Sequence, residues 1–239
     1  MNEKSLESWG LILAAAGAGL RLGGSLPKQF LSVGGQPLYR YSLEAFLDLV
    51  DLVVVVVPRD RIQTVSEELS RTWSAERVES PTVVPGGENR QESVRLGLDA
   101  LPAEIDNVLV HDAARPAVSR ELILKVMEGV REQGACIPVL PVAETVKQIE
   151  SGYIVKTLAR EHLALAQTPQ GFRLELLKEA CRLARARRYL GTDDASLVEE
   201  LGVSVKAVEG ESANIKLTWK EDLERWLSLD RRIGGRDQS

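Results

Sequence analysis

Short apolar runs rich in β-branched residues alternate along this chain with segments of helical periodicity, and no other feature restricts the possible folds as strongly. Runs that predict strands occupy residues 10–15, 52–57, 82–85, 107–111, 135–142 and 204–208. Segments that predict helices occupy residues 37–47, 61–73, 91–101, 120–133, 173–188, 193–200 and 220–229. Several strands are almost entirely apolar, as strands buried on both faces of a sheet must be. The alternation predicts an α/β fold with a doubly wound, mostly parallel sheet built from right-handed βαβ units.

The stretch 141–165 interrupts this alternation. Two short runs, 145–149 and 153–158, alternate in hydrophobicity on either side of Ser151 and Gly152, which predicts a β-hairpin. Such an insertion is either an active-site lid or an arm that grips another subunit. Because this hairpin cannot easily bury both faces against its own domain, we expect a homodimer. We predict one domain over residues 1–239, with 141–165 as a protruding dimerisation arm.

Composition excludes several classes of protein. The chain has 239 residues, 44% of them hydrophobic, and a formal net charge of -5, so we expect a full-sized core and no nucleic-acid partner. The apolar runs are too short to span a membrane, and the polar start of the chain has no signal-peptide pattern. We therefore expect a cytoplasmic protein with no membrane partner. Cys136 and Cys181 are expected to be free thiols that are at least partly buried.

The loop after the first predicted strand has the composition of a phosphate-binding site. It contains four glycines and two cations, Gly17, Gly19, Gly23, Gly24, Arg21 and Lys28. Glycine lets backbone N–H groups turn toward a phosphate chain, and open α/β sheets bind ligands where their parallel strands end. A dinucleotide-binding fingerprint would need glycine in place of Leu22, and the P-loop tripeptide Gly-Lys-Ser/Thr is absent. A flexible strand-to-helix turn remains the alternative interpretation.

Two further polar segments follow predicted strands. Segment 86–93 begins with two glycines that would bring the backbone close to a flat ligand, and Ser93 could bond to a base edge. The alternative is a polar turn in which Asn89 caps a helix. In segment 111–116, Asp112 could bind sugar hydroxyls or help to hold Mg²⁺, whereas Arg115 could instead pair with a nearby carboxylate. We expect His111, within the apolar strand, to be structural, and His162 to be a solvated residue of the arm.

The chain lacks the residue sets that activate a side-chain nucleophile. It has no G-x-S-x-G motif, no convincing Ser/His/Asp set and no Cys/His cluster at metal-ligand spacing. Phosphoryl-type transfer needs none of these, because positioning and charge stabilisation lower its barrier. The residues therefore favour chemistry of that type.

Taken in order, segments 15–21 with 27–29, 86–93, 111–116, 168–170 and 214–216 resemble the motifs of the 2-C-methyl-D-erythritol 4-phosphate cytidylyltransferase family. The resemblance runs from about residue 9 to residue 229. It departs at Ala14, where the family often has proline, and at Glu88, where it often has aspartate. The resemblance implies a Rossmann-like nucleotidyltransferase fold and a homodimer gripped by the hairpin arm. It also implies a reaction in which the phosphate of methylerythritol phosphate attacks the α-phosphate of CTP and pyrophosphate leaves.

The same resemblance implies roles for individual residues. The catalytic residues would be four cations, the first two of which stabilise the transition state: Arg21, Lys28, Arg160 and Lys216. The nucleotide would be bound by Ala15, Ala16, Gly17, Gly19, Gly87, Glu88, Ser93 and Ala113. Methylerythritol phosphate would be bound by Asp112, Arg115, Thr145, Thr168 and Thr192. Thr145 and Arg160 would reach into the site of the partner subunit. Mg²⁺ would be held mainly by substrate phosphates, and no protein ligand of the metal is identified.

Other functions share parts of this pattern. Ribitol 5-phosphate cytidylyltransferases have similar loops, but the double alanine Ala113-Ala114 favours methylerythritol phosphate. A non-catalytic nucleotide-binding module need not place Arg21 and Lys28 together. A nicotinamide oxidoreductase is disfavoured by Leu22.

Overall fold

A computed structural model describes residues 7–17, 27–73, 78 and 80–229 of the chain. In these ranges the fold is organised around an eight-stranded sheet with the order β10–β7–β11–β6–β1–β4–β5, and β12 pairs with β7. The strands are β1 (Trp9–Ala14), β2 (Ser32–Val33), β3 (Gln36–Pro37), β4 (Leu52–Val57), β5 (Thr82–Pro85), β6 (Asn107–Asp112), β7 (Ala135–Pro141), β8 (Lys147–Glu150), β9 (Tyr153–Thr157), β10 (Ala164–Ala166), β11 (Gln170–Arg173) and β12 (Lys206–Glu209). The pairs β2–β3 and β8–β9 lie outside the central sheet.

Helices cover both faces of the sheet. They are α1 (Leu38–Glu44), α2 (Ile62–Thr72), α3 (Arg90–Asp99), α4 (Arg120–Gln133), α5 (Leu174–Arg187), α6 (Asp194–Glu199) and α7 (Lys220–Leu229). One apolar cluster joins α2 and α4 to one face of the sheet, and a second joins α3, α5 and α6 to the other. Strands between two such layers must be apolar on both sides, and β4 (LVVVVV) is buried along almost its whole length. The predicted doubly wound α/β class is confirmed.

The strands that form the middle of the sheet are parallel, as predicted. β1 pairs in parallel with β4 and with β6, and β4 pairs in parallel with β5. The carboxyl ends of these strands therefore meet at one edge of the sheet. The loops that begin at Ala15, Gly86 and Ala113 leave from this edge, which brings the three polar segments of the sequence together.

Two antiparallel strands were not expected from the sequence. β11 inserts between β6 and β7 and runs antiparallel to both, and β10 pairs antiparallel with β7. β11 has the sequence QGFR, which is too short and too polar to stand out as a strand. Gly171 is required there because a Cβ atom would lie 2.7 Å from Val130 and 2.8 Å from Val126 of α4.

The predicted hairpin is present as β8 and β9. Ser151 and Gly152 adopt positive φ angles of 49° and 85° at its turn, as a two-residue hairpin connection requires. Every residue of both strands is exposed. Neither strand therefore buries a side chain against the rest of the described chain.

The expected state of both cysteines is confirmed. Cys136 and Cys181 are free and buried, and burial raises the pKa of these thiols to about 11 and about 12. Asn89 and Ser119 cap α3 and α4 by accepting backbone hydrogen bonds. Among the described helices, none has the length and apolar character that crossing a bilayer requires.

Candidate active site

Two neighbouring depressions lie at the carboxyl edge of the parallel strands, and the first turn of α3 contributes to both. The larger cleft, of about 940 Å³, is lined among others by Ala16, Arg59, Gly86, Gly87, Glu88 and Arg95. The smaller pocket, of about 260 Å³, is lined among others by Arg90, Asp112, Arg115, Thr168, Thr192 and Lys216. Three residues assigned to the nucleotide, Ala16, Gly87 and Glu88, line the cleft, and four assigned to the sugar phosphate line the pocket: Asp112, Arg115, Thr168 and Thr192.

A buried glutamine, Gln29, forms hydrogen bonds that hold the start of the loop after β1. The amide nitrogen of Gln29 donates to the carbonyl oxygens of Ala15 at 2.6 Å and Gly17 at 2.7 Å, and the N–H of Ala15 donates to Val56. The start of the predicted phosphate loop is therefore fixed. Gly19 and Arg21, which belong to the same prediction, lie outside the described residues. Gln29 was part of a motif, but its role became apparent only from these contacts.

Lys28 is bonded to a segment that lies far from it in the sequence. It begins a short 3₁₀ helix, Lys28–Phe30, directly after Pro27. Its ammonium group donates to the carbonyl oxygen of Leu217, the neighbour of Lys216. Lys28 is therefore bonded to the backbone of the segment that carries Lys216, a second predicted catalytic cation almost two hundred residues later in the sequence.

The loop after β5 depends on close backbone approach. A Cβ atom on Gly86 would lie 2.2 Å from the Cβ of Ala16, and one on Gly87 would lie 2.3 Å from Cγ of Glu92. The hydroxyl of Ser93 accepts a hydrogen bond from the N–H of Gly87 at 3.1 Å and donates to the carbonyl of Asn89 at 2.8 Å. Ser93 therefore shapes the loop from within, while Glu88 is exposed in the larger cleft.

Asp112 is the electrostatic centre of the smaller pocket. Its Oδ1 accepts from Nε of Arg90 at 3.0 Å, and its Oδ2 lies 2.7 Å from Nζ of Lys216. Burial alone would raise the pKa of Asp112, but the charges of Arg90 and Lys216 outweigh this effect and hold the pKa well below its ordinary value. The carboxylate stays ionised and fixes two cations that come from separate elements.

Arg90 joins Asp112 to a second buried carboxylate. Its other guanidinium nitrogen lies 2.8 Å from Oδ2 of Asp194, which is 1% exposed. Burial opposes the charge on Arg90, but the two carboxylates outweigh it and raise the pKa of the guanidinium. Arg90 belongs to a sequence motif but had no predicted role, and Asp194 was not among the predicted residues. Pairing across 104 positions has no local signal in a sequence.

His111 and Thr168 hold the backbone of Asp112. Because a carbonyl only accepts, Nε2 of His111 donates to the carbonyl of Arg115 at 3.1 Å, and Nδ1 accepts from the hydroxyl of Thr168 at 3.1 Å. The same hydroxyl accepts from the N–H of Asp112 at 3.1 Å. Burial lowers the pKa of His111 to about 4, so the ring is neutral. His111 is structural, as expected, and Thr168 supports Asp112 from behind.

Among the described residues, Arg115 does not form the carboxylate pair that was the alternative interpretation of this residue. Its guanidinium donates to the carbonyl of Asn214 at 2.7 Å rather than pairing with a carboxylate, and burial lowers its pKa. Asn214 in turn donates to the carbonyl of Thr168 at 2.8 Å. Arg115 therefore ties the end of β6 to the segment that carries Lys216.

The remaining predicted residues occupy three positions. Ala113 is buried, and its N–H donates to the carbonyl of Ala14. Thr192 is exposed at the rim of the smaller pocket. Thr145 and Arg160 are exposed in the arm, on either side of β8 and β9, and Arg160 donates to the carbonyl of Ala143. In the described chain neither lines the cleft or the pocket.

Metal ligands from the protein are not evident at this site. In the part of the chain that the structure describes, no three His, Cys, Asp or Glu side chains are grouped to hold an ion. Both carboxylate oxygens of Asp112, the residue considered for Mg²⁺, are engaged by Arg90 and Lys216.

Comparison with known proteins identifies the family. Residues 10–226 match the family model described as IspD, 2-C-methyl-D-erythritol 4-phosphate cytidylyltransferase. The enzyme of that name from Geobacter metallireducens is 41% identical over 217 residues, which cover 89% of this chain and 93% of the relative. The crystal structure of the Thermus thermophilus enzyme is similar with a TM-score of 0.74 and 38% identity, covering 94% of this chain and 98% of that one. A 4-diphosphocytidyl-2C-methyl-D-erythritol synthase from Anaerococcus prevotii has a TM-score of 0.80 at 29% identity, with coverage of 93% and 98%. The chain belongs to the 2-C-methyl-D-erythritol 4-phosphate cytidylyltransferase family.

Proposed function

We propose that this protein transfers the cytidylyl group of CTP to 2-C-methyl-D-erythritol 4-phosphate. An oxygen of the sugar phosphate attacks the α-phosphorus of CTP, the bond from that phosphorus to the β-phosphate breaks, and pyrophosphate leaves with the bonding electrons. The product is 4-diphosphocytidyl-2-C-methyl-D-erythritol. The observation that carries the proposal is that a glycine-lined cleft and a charged pocket share the first turn of α3, with Lys28 bonded to the backbone of the segment that places Lys216 in that pocket.

No general base is needed for this attack. A phosphate monoester is already anionic at neutral pH, because its second pKa is about 6. The pocket accordingly offers a neutral histidine that is fully occupied, His111, and an ionised carboxylate that is paired, Asp112. The protein must instead bring two anions together and stabilise the charge that accumulates on the α-phosphate.

The nucleotide is assigned to the larger cleft. Gly86 and Gly87 leave no side chain between the loop backbone and the ligand, and Ser93 keeps that backbone in place. Glu88 faces the base from the exposed side of the cleft. Ala15, Ala16 and Gly17, with Gly19 beyond the described residues, are assigned to the triphosphate and ribose, together with Ala113.

The cations are assigned to the reacting phosphates. Lys28 and Arg21 stabilise the transition state, and Lys216, held by Asp112 at 2.7 Å, orients the attacking phosphate. Asp112, Arg115, Thr168 and Thr192 make up the wall for the sugar alcohol. An ammonium group aimed by a buried carboxylate pays little entropy when it meets its ligand, and this is the physical basis of the assignment.

Mg²⁺ is proposed to enter as part of the nucleotide substrate. The ion keeps an octahedral oxygen shell and is commonly bound through phosphates and water. The chemistry it would supply is neutralisation of triphosphate charge. The engaged oxygens of Asp112 favour a metal carried by phosphates over one resident on the protein.

The hairpin arm is proposed to grip a second copy of the chain. Four large apolar side chains project from its strands β8 and β9, Ile149, Tyr153, Ile154 and Val155, each more than half exposed. An exposed apolar surface of this kind is typical of an interface. Thr145 and Arg160, which lie in the arm on either side of these strands, would then reach the partner's smaller pocket. We expect a dimer in sedimentation velocity at micromolar concentration and a monomer for Ile154→Asp, and a monomeric parent protein would contradict the proposal.

The activity itself is tested by pyrophosphate release. Purified protein with CTP, Mg²⁺ and methylerythritol phosphate should release pyrophosphate, and the same mixture with ribitol 5-phosphate should release far less. Folded protein that binds CTP but releases no pyrophosphate with either alcohol would indicate a non-catalytic nucleotide-binding module. Faster turnover of ribitol 5-phosphate would assign the chain to the other substrate.

A further inference from the structure

The segment between α5 and α6 must be held in place by other elements. Tyr189 to Asp193 forms neither helix nor strand, yet it carries Thr192 to the rim of the smaller pocket. Irregular backbone keeps one geometry only when its N–H and C=O groups have fixed partners. The partners of this segment therefore decide where Thr192 lies.

Gln91 supplies two of these partners. Its amide nitrogen donates to the carbonyl oxygen of Tyr189 at 3.2 Å, and its amide oxygen accepts from the N–H of Gly191 at 2.9 Å. The side chain thus bridges the two backbone groups that flank Leu190, and one of them belongs to Gly191, the residue directly before Thr192. Because an amide has both a donor and an acceptor, glutamine suits this bridge, and a carboxylate or a methyl group does not.

Other residues hold the far end of the segment. The amide oxygen of Gln170 accepts from the N–H groups of Asp194 and Ala195, and its nitrogen donates to Asp193 at 2.8 Å. Arg90 pairs with Asp194 at 2.8 Å. The start of α6 is therefore fixed from β11 and α3, whereas Gln91 fixes the half of the segment that precedes Thr192.

Gln91 also lies where the two depressions meet. It occupies the first turn of α3, directly after the loop that forms the larger cleft and beside Arg90 of the smaller pocket. The first turn of one helix thus shapes the nucleotide loop through its cap and the sugar-phosphate rim through Gln91.

We propose that Gln91 is a positioning residue that holds Tyr189 to Thr192 in the geometry which the sugar phosphate requires. It touches neither substrate and acts through the backbone of Tyr189 and Gly191. This inference rests on the proposed function for its effect on substrate, but its effect on the segment is measurable without turnover.

The test uses two substitutions and one control. Gln91→Ala removes both hydrogen bonds, and Gln91→Glu keeps an acceptor for Gly191 but loses the donor to Tyr189. Gln63→Ala is the matched control, because Gln63 is a glutamine near the start of α2 whose side-chain bond, among the described residues, is to Glu67 on its own helix. Each variant is examined by steady-state kinetics with both substrates and by hydrogen exchange of residues 189–193.

Loss of the two hydrogen bonds of Gln91 should weaken binding of the sugar phosphate about tenfold. We expect Gln91→Ala to raise KM for methylerythritol phosphate about tenfold, to change KM for CTP less than about twofold, and to speed amide exchange at Gly191. Gln91→Glu should lie between Gln91→Ala and the parent, and Gln63→Ala should match the parent. Unchanged exchange at Gly191, or faster exchange with an unchanged KM, would overturn the proposal. If the parent protein releases no pyrophosphate, the proposed function fails, and exchange at Gly191 still decides whether Gln91 holds the segment.

Discussion

The larger cleft and the smaller pocket lie next to each other but are built in different ways. One wall of the cleft is a loop in which Gly86 and Gly87 admit no Cβ atom and Ser93 bonds to its own neighbours, and its other walls carry charged side chains such as Arg95. The pocket is made of charged side chains from distant segments, with Asp112 between Arg90 and Lys216. In the proposed function, the flat base is recognised by the shape of the cleft, and the phosphate is bound by cations that a neighbouring carboxylate fixes in position.

This difference predicts different sensitivities. The cleft should be damaged by added volume, because its loop already packs at contact distance. The pocket should be damaged by loss of charge or by protonation, because its cations depend on one carboxylate and on a neutral histidine behind it. Each of the following predictions challenges one side of that contrast.

The largest effect is expected at Lys28, to which the proposed function assigns charge stabilisation at the reacting phosphates. Lys28→Ala should lower kcat by at least about 100-fold, because it removes a charge-stabilising donor at the reacting phosphates. Stability in urea should change much less. Lys125→Ala, which removes a surface lysine paired with Glu121 on α4, is the control for loss of one positive charge. Turnover of Lys28→Ala near the parent value would contradict the role assigned to this lysine.

The next effect tests whether the cleft is limited by volume. Gly86→Ala should lower the free energy of unfolding by about 2 kcal/mol, because the new Cβ would lie 2.2 Å from Ala16, and it should raise KM for CTP. The matched substitution is Gly17→Ala, since no described atom lies within 4 Å of a Cβ at that position. Equal loss of stability in the two variants, measured by urea unfolding, would show that packing at Gly86 is not the limit.

The smallest effect tests the neutral histidine behind the pocket. His111 has a pKa of about 4 in the folded protein and about 6.5 when unfolded, so between these values the unfolded chain binds more protons. Stability should therefore fall as the pH drops below about 6.5, by about 1 to 2 kcal/mol between pH 7 and pH 5. His111→Gln should lose this part of the pH dependence. If the stability of parent and variant falls in parallel with pH, the buried neutral ring is not the source of this pH dependence.

The cleft and the pocket also differ in how much of each could be predicted from the sequence. The cleft loop is local, so its glycines, the Asn89 cap and the position of Ser93 were all visible within eight residues. Asp112 was found because it ends a buried strand. Its partner Arg90 and the second carboxylate Asp194 were not, because ion pairs between distant segments leave no periodic or local signal.

The fold was predicted where the chain repeats a simple pattern and missed where it does not. Parallel strands and amphipathic helices have clear periodicities, and the helix over Arg120–Gln133 was predicted to the residue. β11 was missed because QGFR has no strand pattern of its own. Its place depends on a groove that β6, β7 and α4 create together, which is a tertiary effect.

The separation of the two substrates is tested most directly by KM measurements on two hydroxyl deletions. Thr192→Val removes an exposed hydroxyl from the rim of the pocket, and Ser93→Ala removes the hydroxyl that holds Gly87 in the cleft. We predict that Thr192→Val raises KM for methylerythritol phosphate about tenfold and leaves KM for CTP within about twofold. Ser93→Ala should raise KM for CTP about tenfold and leave KM for methylerythritol phosphate within about twofold. A rise in KM for CTP with Thr192→Val, and for methylerythritol phosphate with Ser93→Ala, would place the substrates the other way round and contradict the account.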